Sequence, residues 1–225
     1  MNSRKPVIGI LPTSNYMLTN DTFADTYRFG NNYIKKIVEN GGIPLLIPYQ
    51  DDKVILDTLE MCDGLLLPGG NRVLASGLEV VDYFYNKNKP ILGICLGMQT
   101  IAMYSVNKDR EDSKRIIKPI DNGVNHWPVE LYRENNDELV HKIKIDRDSK
   151  LFEIFNKEEM MVNSVHKCTI TEVGNDFRVS AYSEDGLIEG IEYIKDDKYI
   201  IGVQFHPEVL PQYNEIFKEF VERCK

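Results

Sequence analysis

The chain has 225 residues, 42% of them hydrophobic and 28% charged, enough for a single domain that buries roughly 70% of its unfolded-chain surface. A formal net charge of -8 argues against a nucleic-acid-binding surface or an anionic membrane partner and toward small molecules or other proteins. Cys62, Cys95, Cys168 and Cys224 make no C-x-x-C pair, so neither a zinc site nor a disulfide framework is expected and a reducing, cytoplasmic location fits best.

Taken in order, Val7-Ile8-Gly9-Ile10-Leu11 between Pro6 and Pro12 predicts a first strand buried on both faces. Five apolar or small residues are too few for a signal peptide or a membrane span, so no targeting segment is expected. After a polar stretch from Thr13 to Asp25, Tyr27, Asn31, Ile34, Ile37 and Val38 recur at helical spacing up to Asn40-Gly41-Gly42, where glycine ends the helix. Ile43 to Pro48 predicts a second buried strand, Val54 to Met61 a short helix, and Gly64-Leu65-Leu66-Leu67 a third strand that ends in Pro68-Gly69-Gly70. Leu74 to Tyr85 predicts a helix and Pro90 to Ile94 the next strand. This alternation without hairpin turns predicts a parallel sheet with helices on both faces, whose site lies outside the carboxyl ends of the strands. Gly69, Gly70 and Cys95 fall at such ends and should be neighbours.

Val106 to Arg115 is polar and reads as a surface loop. Leu139 to Ile145, Met160 to Val162, Phe177 to Tyr182, Leu187 to Tyr193 and Tyr199 to Phe205 read as shorter strands, several alternating with period two. The second half is therefore expected to be more antiparallel, with Tyr199 to Val203 rejoining the central sheet. An amphipathic helix from Gln212 to Cys224 closes the chain. With no repeat and no linker, residues 1–225 are read as one domain.

Gly93-Ile94-Cys95-Leu96-Gly97 is a G-x-nucleophile-x-G elbow with sulfur in place of the hydroxyl. The flanking glycines let strand and helix approach, and the helix that starts at Leu96 directs its N–H groups and positive dipole end at Cys95, favouring the thiolate. The Leu96 N–H is also placed to donate to an oxyanion. Gly202-Val203-Gln204-Phe205-His206-Pro207-Glu208 puts a histidine just past a strand, able to serve as base and acid, with Glu208 able to fix its tautomer. His126 and His141 read as satisfied surface or core residues.

Together, Gly-Ile-Cys-Leu-Gly-Met-Gln, the strand-terminal Pro-Gly-Gly and Gly-Val-Gln-Phe-His-Pro-Glu resemble the class I glutamine amidotransferase superfamily over nearly the whole chain. Val162-Asn163-Ser164-Val165-His166 and Asp185-Gly186-Leu187-Ile188-Glu189-Gly190-Ile191-Glu192 resemble its γ-glutamyl-γ-aminobutyrate hydrolase branch, the peptidase C26 family. The resemblance implies a flavodoxin-like three-layer α/β sandwich, mostly parallel, with a small antiparallel extension. It implies a catalytic triad of Cys95, His206 and Glu208, an oxyanion hole from the N–H groups of Gly70 and Leu96, and glutamyl binding by Gln99 and the backbone around Ser164, Val165 and His166.

The implied activity is hydrolysis of a γ-glutamyl amide through a thioester, on a small-molecule substrate, with no metal or organic cofactor. The alternatives are a glutaminase subunit that delivers ammonia to a separate synthetase, and a non-catalytic regulatory relative. A homodimer is compatible with either enzyme. The chain departs from the branch after Gln99, after Asn163-Ser164 and after Gly70, where Arg72 and Lys167 are candidates to meet an anionic leaving group. A related chaperone-like family places histidine directly after its cysteine and lacks His-Pro-Glu, so Leu96 and Glu208 argue against it.

Overall fold

A computed structural model describes residues 4–14, 27–28, 30–50, 53–121, 126–127, 139–195 and 197–225. Most of the polar stretch from Thr13 to Asp25 therefore lies outside the described residues. The elements run β1 (Val7–Ile10), β2 (Thr13–Ser14), β3 (Tyr27–Arg28), α1 (Asn31–Glu39), β4 (Ile43–Leu46), β5 (Tyr49–Gln50), β6 (Lys53–Val54), α2 (Leu56–Glu60), β7 (Gly64–Leu67), α3 (Ala75–Asn86), β8 (Ile91–Ile94) and α4 (Leu96–Asn107). There follow β9 (Ile117–Pro119), β10 (His141–Ile145), α5 (Lys150–Phe155), β11 (Glu159–Val162), β12 (Cys168–Ile170), β13 (Phe177–Ser183), β14 (Ile188–Tyr193), β15 (Ile200–Val203) and α6 (Glu215–Arg223).

The central sheet has the order β11-β10-β13-β14-β15-β8-β7-β1-β4. From β4 to β15 neighbouring strands are parallel, and from β15 outward through β14, β13, β10 and β11 each pair is antiparallel. This is the expected mostly parallel α/β sheet with an antiparallel extension, and β15 does rejoin the parallel strands beside β8.

The apolar runs separate by parity. Leu66, Leu92, Ile94, Ile201 and Val203 point to one face, against Ile37 of α1 and Ile216, Phe217, Phe220 and Val221 of α6. Leu65, Leu67, Ile91 and Ile200 point to the other, against Leu59 of α2, Val80 and Phe84 of α3, and Met98, Ile101 and Ala102 of α4. Two helical layers thus cover a sheet whose central strands have no polar face, the arrangement that continuous apolar runs require.

Three expectations need correction. Ile43 to Pro48 reads as a strand buried on both faces, but β4 is the edge of the sheet and leaves Ile43 and Leu46 exposed; Pro44, which cannot donate to a ladder, is tolerated at an edge. The helical pattern assigned from Tyr27 begins only at Asn31, because Tyr27 and Arg28 pair with Ser14 and Thr13. The polar segment from Val106 is also shorter as a loop, since α4 continues through Asn107.

Register places the site. Ile94 pairs with Val203 and Gly93 with both Gly202 and Leu67, so three adjacent strands release the chain at the same edge: β7 into Pro68-Gly69-Gly70, β8 into Cys95, and β15 toward His206. The α4 helix must start immediately over that edge. A Cβ on Gly97 would lie 2.1 Å from the Leu67 carbonyl oxygen and 2.7 Å from Leu67 Cβ, and one on Gly93 would lie 2.6 Å from the Gly97 carbonyl carbon. The obstructing atoms are mostly backbone, which cannot swing aside. Gly97→Ala is therefore expected to destabilise the fold by about 3 kcal/mol or to displace the start of α4. The midpoint of urea unfolding measures it; a midpoint unchanged from the parent contradicts this packing.

Candidate active site

Cys95 sits at φ 53° and ψ -106°, a combination sparsely populated by residues with a side chain and of the kind stored at functional sites. The turn is held on both sides: the Cys95 N–H donates to the Val203 carbonyl at 2.8 Å, and the Cys95 carbonyl accepts the Gln99 N–H at 3.1 Å. The residue is buried, 5% exposed, at the N-terminus of α4, whose first N–H groups have no partner within the helix. Leu96 follows as the first helical residue.

His206 extends from β15, and Pro207 opens a single 3-10 turn, Pro207–Val209, that folds Glu208 back beside the ring. The Nδ1 of His206 and Oε1 of Glu208 are 2.7 Å apart, so Nδ1–H donates to the carboxylate and Nε2 carries the lone pair or a second proton. The Nε2 atom is buried without a hydrogen-bond partner among the described residues. A Cβ added to Gly69 would sit 2.8 Å from His206 Cε1 and 3.6 Å from Cys95 Cβ, which locates the ring, the sulfur-bearing carbon and the end of β7 around one point. Burial disfavours the charged imidazole, but the charges of Glu208 and Cys95 outweigh it, and His206 is held protonated well above the usual histidine range.

Two groups that the sequence reading gave no role position the site. Asn163 clamps the His206 backbone twice, its side-chain amide donating to the His206 carbonyl at 3.0 Å and its oxygen accepting the His206 N–H at 2.8 Å. The Tyr33 hydroxyl accepts the Gly69 N–H at 3.0 Å. Burial, with the neighbouring Glu208 charge, drives its ionisation well above the normal tyrosine range, so it stays a neutral phenol. The Tyr33 bond fixes the Pro68–Gly69 peptide, next to the exposed Gly70.

Val165 presents its carbonyl 4.0 Å from Cys95 Sγ. Gln99 is buried, its side-chain nitrogen donating to Gln204 Oε1 at 3.1 Å and to the Cys168 carbonyl at 3.2 Å. Ser164 and His166 turn elsewhere: Ser164 Oγ lies 2.9 Å from His126 Nδ1, and the His166 N–H is already given to the His126 carbonyl at 2.9 Å. Arg72 and Lys167 are exposed, and Lys167 lies over the Trp127 ring.

His126 is satisfied, as expected, with Ser164 Oγ 2.9 Å from Nδ1 and an Asp185 carboxylate oxygen 3.1 Å from Nε2, whereas His141 is not. With His166 and Glu189 they form a buried cluster whose ligand-type atoms all lie within 4.8 Å of one another, and His141 Nε2 has no partner among the described residues. His126 belongs to neither the candidate catalytic groups nor the apolar core.

The family model described as Peptidase C26 matches residues 6–78 and 75–208. A glutamine amidotransferase-like protein of Rickettsia prowazekii is 30% identical over 98% of this chain and 98% of its own length. The matching subunit of a glutamine-hydrolysing GMP synthase from Picrophilus torridus is 28% identical over 75% of this chain and 80% of its own. In fold, the chain superposes on a GMP synthase subunit from Thermoplasma acidophilum with a TM-score of 0.65, at 21% identity, over 99% of this chain and 96% of that one. The chain belongs to the peptidase C26 family, among the hydrolases and amidotransferases of the class I glutamine amidotransferase-like superfamily.

Proposed function

We propose that the protein hydrolyses a γ-glutamyl amide through a thioester on Cys95, releasing glutamate and an amine. The observation that carries this reading is the convergence of a strained, helix-capping cysteine with a half-buried imidazole whose far nitrogen is bound to a carboxylate. In this mechanism His206 holds the proton taken from the thiol, leaving the sulfur as thiolate at the positive end of α4. The thiolate attacks the δ-carbonyl, and the N–H groups of Gly70 and Leu96 receive the oxyanion. His206 then gives its proton to the departing amine. Water, deprotonated by the same imidazole, attacks the thioester carbonyl, and the Cys95 sulfur leaves with glutamate released. Glu208 keeps the ring oriented and stabilises its charge.

For the glutamyl group, the Val165 carbonyl beside Sγ is suited to an α-ammonium, a role in keeping with the Gln99 and Ser164 to His166 assignments made from the sequence. The Ser164 hydroxyl and the His166 N–H are engaged with His126, so within that segment Val165 is favoured as the contact. Cytoplasmic hydrolysis of a small γ-glutamyl amine is the substrate reading; among the described residues no helix is long and apolar enough to cross a membrane. The second reading, a glutaminase working with a separate synthetase, is supported by the sequence relation to the Picrophilus torridus GMP synthase protein, itself one subunit of its enzyme.

Cys95→Ala is expected to fold normally and to lose turnover by about 10⁴-fold or more. Glutamate release from a panel of γ-glutamyl amides and free glutamine measures it, and substantial turnover by the folded variant contradicts the nucleophile assignment. Turnover of one γ-glutamyl amine by the protein alone supports the hydrolase, whereas glutamine hydrolysis that appears only with an added synthetase supports the second reading.

The pH profile has a definite sign. Because Glu208 helps keep His206 protonated, Glu208→Gln leaves burial less opposed and lowers the imidazole pKa. The alkaline limb of kcat/KM, where the general acid loses its proton, should shift to lower pH, and kcat should fall by about 10²–10⁴-fold. An alkaline limb at the same pH in both proteins sinks the proposed coupling.

A further inference from the structure

We propose that His126, His141, His166 and Glu189 bind a divalent transition-metal cation of the zinc type in a closed, four-ligand structural site behind the Asn163 to His166 segment. The argument begins with Glu189. It lies on β14, is fully buried, and neither of its carboxylate oxygens has a hydrogen-bond partner among the described residues. Three residues along the same strand, the equally buried Glu192 shows the usual remedy: Arg178 Nε donates to Oε1 at 2.8 Å and the Lys150 N–H donates to Oε2 at 2.7 Å. An uncompensated buried carboxylate costs several kcal/mol, so Glu189 requires a cation, and among the described residues no lysine or arginine pairs with it.

The groups that face it are imidazoles whose outer nitrogens are already committed. His166 Nδ1 lies 3.0 Å from the Cys168 carbonyl, which can only accept, so Nδ1 carries the hydrogen and in the neutral ring Nε2 is a lone pair. That lone pair is 3.4 Å from Glu189 Oε1 and has no hydrogen-bond partner among the described residues. His141 repeats the pattern, with Nδ1 toward the Lys142 carbonyl and Nε2 3.7 Å from the same oxygen. His126 places Nε2 3.1 Å from an Asp185 carboxylate oxygen and Nδ1 3.9 Å from Glu189 Oε1. Acceptors thus face acceptors at the centre, and each ring is oriented from outside by a carbonyl or a carboxylate, the outer-shell arrangement of metal-bound histidines.

The size is right. Tetrahedral zinc, with bonds to nitrogen and oxygen near 2.0–2.2 Å, places its ligand atoms about 3.3–3.5 Å apart. The observed 3.4, 3.7 and 3.9 Å separations from Glu189 need slight contraction and the wider separations in the cluster, up to 4.8 Å, a larger one, with the cation replacing the Ser164 hydroxyl as partner of the His126 Nδ1 lone pair. Three imidazoles and one carboxylate suit zinc among first-row metals. All four residues are buried, which leaves no open position for a reacting water. The metal would therefore act as a staple, joining β10, β14 and the residues at 126 and 166. His166 is the neighbour of Val165, whose carbonyl lies by Cys95.

The alternative cation is a proton on one imidazole, and elemental analysis separates the two. The untagged full chain, purified and passed through gel filtration, is expected to retain about one zinc per chain. Chelation with dipicolinate should lower Tm by about 5 °C or more, and refilling with Co²⁺ should give the visible ligand-field bands of a tetrahedral site. Glu189→Gln and His141→Asn should lose the metal while Cys95→Ala keeps it, so this site and the Cys95 reading fail separately. Absence of metal from the purified chain, together with no cobalt bands on adding Co²⁺ to the wild type, overturns the proposal whether or not the variants fold. Full metal retention in a folded Glu189→Gln protein overturns the ligand set.

Discussion

The close approach of α4 to the ends of β7 and β8 is the constraint on which the site depends. Only hydrogen atoms at positions 93 and 97 leave room for that approach, and the reward is a cysteine held at positive φ with the helix N-terminus beside it. Such strain costs on the order of 1–3 kcal/mol and persists because neighbouring structure over-determines it: the Cys95 N–H is bound to Val203 of β15, the strand that leads to His206. One hydrogen bond therefore couples the positions of the proposed nucleophile and its proton carrier. The same edge brings Gly69, with its N–H on the Tyr33 hydroxyl, into contact range of both.

Three buried glutamates show how this chain manages charge in a low-dielectric interior. Glu192 is neutralised by Arg178. Glu208 is given to His206, where it raises the affinity of the imidazole for its proton and so stores the acid that an amine leaving group needs. Glu189 has no hydrogen-bond partner among the described residues and faces imidazole nitrogens, and a cation there would convert the cost of burying it into rigidity behind the Val165 segment. The first is a structural solution, the second a chemical one, and the third joins the two, since the loop it braces reaches both the proposed substrate pocket and, through Asn163, the backbone of His206.

What could be read from the sequence was what is local. The parallel half of the sheet was legible because each strand is a short, wholly apolar run next to a helix, and the elbow because its glycines stand within two residues of Cys95. His206 and Glu208 share one short motif. Tyr33 was not legible: its partner is 36 positions away, and a tyrosine on an amphipathic helix reads as core. The histidine cluster was missed for the same reason, since its members at 126, 141, 166 and 189 come from separate elements and have no metal-ligand spacing. The α5 helix is too short for periodicity to reveal, although Ser149, whose hydroxyl oxygen accepts the Phe152 N–H, and Asn156 in the left-handed conformation bracket it. β4 reads as a buried strand although it lies at the edge, because an apolar run fixes the state of a strand but not its place in the order.

The most direct test of the account is the covalent intermediate. Rapid quenching of the enzyme in acid during turnover of a γ-glutamyl amide, followed by peptide mass analysis, should find one γ-glutamyl group on the peptide that contains Cys95 and on no other. A γ-glutamyl group attached elsewhere, or none at all while glutamate is being released at steady state with chemistry on the acyl-enzyme limiting, would contradict a mechanism through Cys95.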